Sequence, residues 1–140
     1  HNEYVTVEIV RPGAAVLCGK TNMLRDFSEL KEAWHRWIDQ AVDHALQLSE
    51  HDPMLKYVDE HHPEWRVMVT PGDPTTELTA ALFMAKCQAF LDADGEGFIC
   101  RMVKIKETPT NTVILQAPLP PELGQTSQLD WWDRADMSIR

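Results

Sequence analysis

Asp26-Phe27-Ser28-Glu29-Leu30-Lys31-Glu32-Ala33-Trp34-His35-Arg36-Trp37-Ile38-Asp39-Gln40-Ala41-Val42-Asp43-His44 is the stretch on which the fold turns. Leu30, Ala33, Trp34, Trp37, Ile38 and Ala41 recur at the three- and four-residue steps that line one face of an amphipathic helix. Asp26 stands where an N-cap belongs, with Glu29 three residues on as a capping-box acid. The spacing predicts a helix from about Phe27 to about Val42, ending where Asp43 meets His44. His35 falls on the polar face and is read as exposed.

On the N-terminal side the period changes to two. Val5, Val7 and Ile9 share one face, and Tyr4, Thr6 and Glu8 the other, which predicts a half-buried strand over residues 3–10. Arg11-Pro12-Gly13 breaks it, and Ala15-Val16-Leu17-Cys18 reads as a returning hairpin strand. On the C-terminal side residues 43–75 read as irregular, punctuated by Asp52-Pro53, His62-Pro63, Pro71-Gly72 and Asp73-Pro74, with Trp65–Val69 as a single strand among them. Leu78, Ala81, Leu82, Ala85 and Ala89 predict a second helix, capped by Asp73, Thr75 or Thr76 and stopped by Asp94-Gly95-Glu96-Gly97. Phe98–Lys106 and Thr112–Leu115 form a hairpin about Pro109-Thr110-Asn111. This order predicts an α+β fold, an antiparallel β-sheet with two helices packed on one face.

Composition narrows the function classes. The chain has 140 residues, 44% of them apolar, and a formal charge of −9 spread evenly along it. That is one domain's length with enough apolar material for a core. No basic half or patch suits nucleic acid. No apolar run reaches the about 18 residues of a membrane span. Nothing near His1 has the charged-then-apolar pattern of a secretory leader, and the reading expects a cytoplasmic protein. Cys18, Cys87 and Cys100 are odd in number and lack metal-binding spacing, so neither a disulfide framework nor a thiolate zinc site is expected. Cys87 and Cys100 read as small buried hydrophobes.

Several positions invite chemistry. Asp43-His44 pairs a carboxylate with an imidazole, the combination that selects a tautomer and strengthens a base. In an unbroken helix neighbours point about 100° apart, so the pair needs the helix to end there or a third group; otherwise His44 simply sits at a helix C-terminus, favoured by the dipole. His51, His61 and His62 read as solvated loop residues. Thr75-Thr76-Glu77 suits a helix N-terminus. Glu107, between two strands, is placed either as a turn acid or as a carboxylate accepting the paired N–H donors of a 2-amino-pyrimidinone ring.

Taken in order, these segments resemble the 6-pyruvoyl-tetrahydropterin synthase / 6-carboxy-tetrahydropterin synthase family, which has the T-fold. His1-Asn2-Glu3-Tyr4 is similar to the end of the family's His-Gly-His-Asn-Tyr motif. Asp26-Phe27-Ser28-Glu29-Leu30-Lys31 resembles its Asp-Phe-x-x-Leu-Lys helix start, and Val42-Asp43-His44 its Leu-Asp-His. Pro74-Thr75-Thr76-Glu77 matches Pro-Thr-x-Glu, Lys106-Glu107-Thr108 matches x-Glu-Thr, and Asn111-Thr112-Val113 is similar to the hairpin return. The likeness covers residues 1–117; residues 118–140 read as a Pro-rich linker and an aromatic tail around Trp131-Trp132.

The resemblance implies a zinc-dependent lyase that eliminates triphosphate from 7,8-dihydroneopterin triphosphate, in pterin or 7-deazaguanine (queuosine) synthesis. It implies Asp43 orienting His44 as a proton shuttle, Glu107 clamping the pterin beside Thr75 and Thr76, His1 as a zinc ligand, and a trimer or hexamer with sites between subunits. The family's other zinc histidines, its catalytic Cys and its first strand lie ahead of the position of His1, so the fold as read lacks its N-terminal strand and the natural protein is expected to carry residues before His1. Two further readings stay open: a non-catalytic pterin- or purine-binding module, and a structural subunit whose Trp131-Trp132 tail docks a partner. For the triphosphate, Lys20, Arg25, Lys104 and Lys106 are candidates by charge alone.

Overall fold

The computed structural model describes residues 2–13, 26–119 and 130–140. The expected hairpin strand over residues 15–18, together with His1, Cys18, Lys20 and Arg25, lies outside them. Strand β1 (Tyr4–Val10) follows the alternation of its sequence. It pairs antiparallel with β4 (Ile99–Lys106), which also pairs antiparallel with β5 (Thr112–Gln116). The three form a sheet of order β1-β4-β5. Val103 and Ile105 point into the core and Lys104 and Lys106 away from it, as the sequence requires.

Helix α1 (Phe27–Trp37) starts at Asp26, whose carboxylate accepts the Ser28 N–H at 2.7 Å. The helix does not run regularly to Val42. Ile38–Val42 unwind into a π-helical turn, closed by the Asp43 N–H donating to the Ile38 carbonyl at 2.8 Å. Trp34 and Trp37 are buried, and both meet Phe83 edge-on, at ring-centre distances of 5.9 and 5.3 Å. Such packing adds about 1 kcal/mol per pair beyond burial itself.

Residues 43–75 are more ordered than their sequence suggests. Strand β2 (Leu46–Ser49), helix α2 (Pro53–His61) and strand β3 (Val67–Thr70) form a small β-α-β unit in which β2 and β3 run parallel. Asp52-Pro53 starts a helix rather than a loop. Asp52 accepts the Met54 N–H at 2.8 Å, and Pro53 occupies the first turn, where no N–H is needed. His61 is the last residue of α2 rather than a loop residue, and stacks on Tyr57. His62 stacks on Trp65. The described residues thus carry three helices where two were expected, and a second, parallel sheet.

Helix α3 (Thr76–Asp94) is buried on nearly every side, with Thr79 through Cys87 all inside. One face meets β4 and β5, another meets α1, and a third is covered by the C-terminal segment. Trp131 and Trp132, read from sequence as a patch on a tail, are 3% and 6% exposed in the main core. The segment is stitched down by the Trp131 indole N–H to the Val69 carbonyl (2.7 Å), the Val69 N–H to the Ile139 carbonyl (2.9 Å) and the Trp37 indole N–H to the Ser138 carbonyl (3.1 Å). Arg140 closes on Asp59 of α2 through two parallel bonds of 2.9 and 3.0 Å. The Trp131-Trp132 pair is therefore spent inside the fold and is not available as a docking patch.

Candidate functional site

Five segments converge at one end of the molecule. The start of β1 brings Asn2 and Glu3, and the π-helical turn brings Asp39, Asp43 and His44. Strand β2 brings Gln47, the N-terminus of α3 brings Thr75, Thr76 and Glu77, and the β4–β5 hairpin brings Glu107, Thr110, Asn111 and Thr112. They line two clefts. The larger, about 740 Å³, holds Thr75, Thr76, Glu77, Glu107 and Asn111; the other, about 600 Å³, holds Asn2, Asp39, Asp43 and His44. Glu3 and Gln47 belong to both walls.

Pairing in the sheet explains part of this. Tyr4 sits opposite Lys106 in the β1–β4 ladder, so Glu3 and Glu107, one step further out on each strand, face each other. Burial, then repulsion from Glu107, raises the Glu3 carboxyl above its ordinary range, while a hydrogen bond from Gln47 opposes the rise. Gln47 in turn accepts from the Thr79 hydroxyl of α3 at 3.2 Å. Polar contacts thus run from α3 through β2 to the start of β1, and tie the two clefts together.

Thr75 is the N-cap of α3, its hydroxyl accepting the Leu78 N–H at 3.3 Å. Beyond Glu107 the backbone turns back through N–H bonds from Glu107 and Thr108 to the Asn111 carbonyl, at 3.1 and 3.4 Å. The Thr108 hydroxyl accepts the Asn111 N–H at 2.9 Å. The turn fixes where the Glu107 carboxylate stands relative to the helix N-terminus across the cleft.

Asp43 and His44 do meet. The π-helical turn ends the helix, and His44 adopts a left-handed backbone with φ +62°, the sole non-glycine residue among those described to do so. With the helix broken in this way the His44 Nδ1 lies 2.9 Å from an Asp43 carboxylate oxygen. The objection from helical geometry is thereby removed without a third group. Both side chains are open to solvent, His44 84% and Asp43 61% exposed. A ring whose Nδ1–H is held by a carboxylate offers its Nε2 lone pair outward as a base.

The remaining expectations divide. His1 lies outside the described residues. Among the described residues no three His, Cys, Asp or Glu side chains gather closely enough to hold a metal ion, so those residues do not fit a zinc site. Cys87 and Cys100 are buried, as read, and lie against each other; the bond to Cys100 and burial push the Cys87 thiol up. Lys104 and Lys106 stand on the outer face of the sheet, and neither cleft has a Lys or Arg among its described lining residues. Sequence reasoning missed Gln47, whose signal was an inward polar residue in a four-residue strand. It also missed Arg66, which reaches the π-helical turn from the residue just before β3 and has no sequence signal. No helix among the described residues is long and apolar enough to cross a membrane.

A search of curated proteins finds no match to the chain. A family model does match, that of 6-pyruvoyl tetrahydropterin synthase, over residues 1–118. Among the described residues that span takes in every strand that pairs and every helix that reaches the clefts, in the α+β arrangement of the T-fold, and stops short of the closing C-terminal segment. Order of motifs, sheet and family model agree, and the chain belongs to the 6-pyruvoyl tetrahydropterin synthase family.

Proposed function

We propose that this chain is a 6-carboxy- or 6-pyruvoyl-tetrahydropterin synthase-type enzyme, a carbon–oxygen lyase that eliminates triphosphate from 7,8-dihydroneopterin triphosphate. The observation that carries the reading is the adjacency of two clefts with a common wall. One holds a carboxylate suited to a pterin ring, the other an Asp–His pair suited to moving protons. A pterin in the Glu107 cleft would set its side chain toward Glu3, Gln47 and the His44 ring.

In this reading Glu107 accepts the two N–H donors of the 2-amino-pyrimidinone edge, a charge-assisted pair. Thr75 and Thr76 flank the ring at the N-terminus of α3. Asp43 holds the proton on His44 Nδ1, which leaves Nε2 to take a proton from a side-chain carbon and return it to a neighbouring one. Zinc is the cofactor that the family implies, with His1 its proposed ligand, and it would supply Lewis-acid polarisation of the substrate hydroxyls. The exposure of Asp43 and His44 favours a homo-oligomer, trimer or hexamer, in which a neighbouring subunit covers the pair and excludes water from it.

The test uses the full chain, with pterin binding followed by fluorescence and turnover by release of inorganic triphosphate. Glu107→Gln keeps the shape and one acceptor but loses the charge; it should weaken pterin binding by roughly tenfold or more. Unchanged affinity removes Glu107 as the clamp. Intact pterin binding with no consumption of dihydroneopterin triphosphate, in protein supplied with zinc, would remove the enzymatic reading and leave a binding module.

A further inference from the structure

The Asp43–His44 pair is held by neither burial nor a regular helix. Both side chains are mostly exposed, and His44 occupies a backbone conformation that costs a side-chain-bearing residue free energy. Such a geometry persists only where surrounding groups over-determine it. The described residues contain one side chain that does this. Arg66 donates from Nη1 to the Asp43 carbonyl at 2.8 Å and to the Gln40 carbonyl at 3.0 Å. The first acceptor belongs to the peptide that joins Asp43 to His44; the second lies within the π-helical turn. The backbone of Arg66 is engaged too, its carbonyl accepting the Leu46 N–H at 2.8 Å. One residue thus grips the Asp43–His44 segment from its helix side and from its strand side.

We propose that Arg66 is a positioning residue for the Asp43–His44 pair: its guanidinium fixes the peptide between them, and so sets the His44 ring with Nδ1 toward the Asp43 carboxylate and Nε2 away from it. The proposal rests on the catalytic reading of that pair for its purpose but not for its geometry. Both bonds leave one guanidinium nitrogen, whose two N–H directions are fixed by the planar group, whereas the N–H bonds of an ammonium rotate freely on a shorter stem. His44 is faced by Asp43 beside it, by Asp39 across one cleft, and by Glu64 and Arg66 across another that Trp65 also lines. Loss of the Arg66 charge would alter that field as well as the geometry, so the informative variant keeps the charge.

The experiment is nitrogen NMR of the full chain labelled at histidine, comparing the wild type with Arg66→Lys and Asp43→Asn. In the wild type the neutral His44 ring should carry its proton on Nδ1, and the backbone carbon shifts of residue 44 should be left-handed. In Arg66→Lys the ratio of Nδ1–H to Nε2–H tautomer should fall by about threefold or more, the scale of an exposed charge-assisted contact, toward the ratio in Asp43→Asn. The backbone shifts of residue 44 should leave the left-handed region while the indole signals of Trp131 and Trp132 stay in place. Should Arg66→Lys fail to fold, Arg66→Gln, a neutral donor of shorter reach, is read by the backbone shifts of residue 44 alone, because its lost charge also alters the field at the ring. A tautomer ratio and residue 44 shifts that match the wild type in a folded Arg66 variant overturn the proposal, as does an Asp43→Asn ratio equal to the wild type's. None of these signals involves a pterin, so failure of pterin binding would overturn the function proposed above and leave this inference standing.

Discussion

Lys86 is the residue whose surroundings are least expected from the sequence. It sits within the apolar helix α3 and has no exposed surface. Its ammonium donates to the Trp131 carbonyl at 2.8 Å and to Asp136 at 3.3 Å, and lies 5.3 to 5.9 Å from the ring centres of Phe90, Trp37 and Trp131. Burial lowers its pKa, and Asp136 only partly offsets that. A buried cation is a poor source of net stability, whereas its four-carbon stem fills space among three aromatic rings. Lys86→Met should therefore cost about 1 kcal/mol, for the carbonyl left without a donor, and Lys86→Ala about 3 kcal/mol, for the cavity added to that loss. Urea unfolding of the two variants decides the matter; equal losses would mean that charge, not volume, is what the site uses.

At the scale of elements, the C-terminal segment shows why acid should loosen this fold. Burial works against ionisation of Asp136, but the Ser138 hydroxyl and N–H, together with Lys86, pull its carboxyl down from 3.8 to about 2. A carboxylate depressed in the folded state contributes stability that is complete above its unfolded pKa and lost as pH falls through the folded one. The unfolding midpoint in urea should thus drop between about pH 4 and about pH 2, and drop less steeply in Asp136→Asn. An unchanged slope in that variant would assign the acid sensitivity to other carboxylates. The same elements show what the sequence made legible. Strand β1, helix α1 and the β4–β5 hairpin declare themselves through long, single-period patterns. Of the β2-α2-β3 unit only β3 did, read as Trp65–Val69 and found at Val67–Thr70; β2, with four residues, carries too few alternations to register. Asp52-Pro53 is a helix-start signal that also fits a loop. The site was legible in part: Thr75, Thr76 and Glu107 share one cleft and Asp43 and His44 the next, but Glu3 and Gln47, which join the clefts, depend on pairing that no local pattern encodes.

For the molecule as a whole, the decisive correction concerns residues 130–140. Composition sets them apart as a polar tail with two tryptophans, yet they cover a third face of α3 and bond both the N–H and the carbonyl of Val69. The apolar stripe of α3 understated its burial because residues off the stripe, Lys86 among them, face this segment. A chain ended after residue 129 should lose its cooperative thermal transition and the dispersed indole signals of Trp37. A docking tail would instead leave both unchanged, and that result would restore the tail reading.

This closure also dictates an order of events during synthesis. Lys86 and the Trp131 carbonyl it binds are 45 residues apart. At ribosomal speeds of about 5–20 residues per second, roughly 2–9 seconds pass between their appearances. For most of that interval, once Asp94 has completed α3, Trp37, Phe90 and the Lys86 ammonium wait without their cover, β1 and α1 having been made before them. The nascent chain therefore presents a sticky aromatic surface at a defined stage, one that a holding chaperone would recognise, and that a pause in translation before residue 130 would prolong.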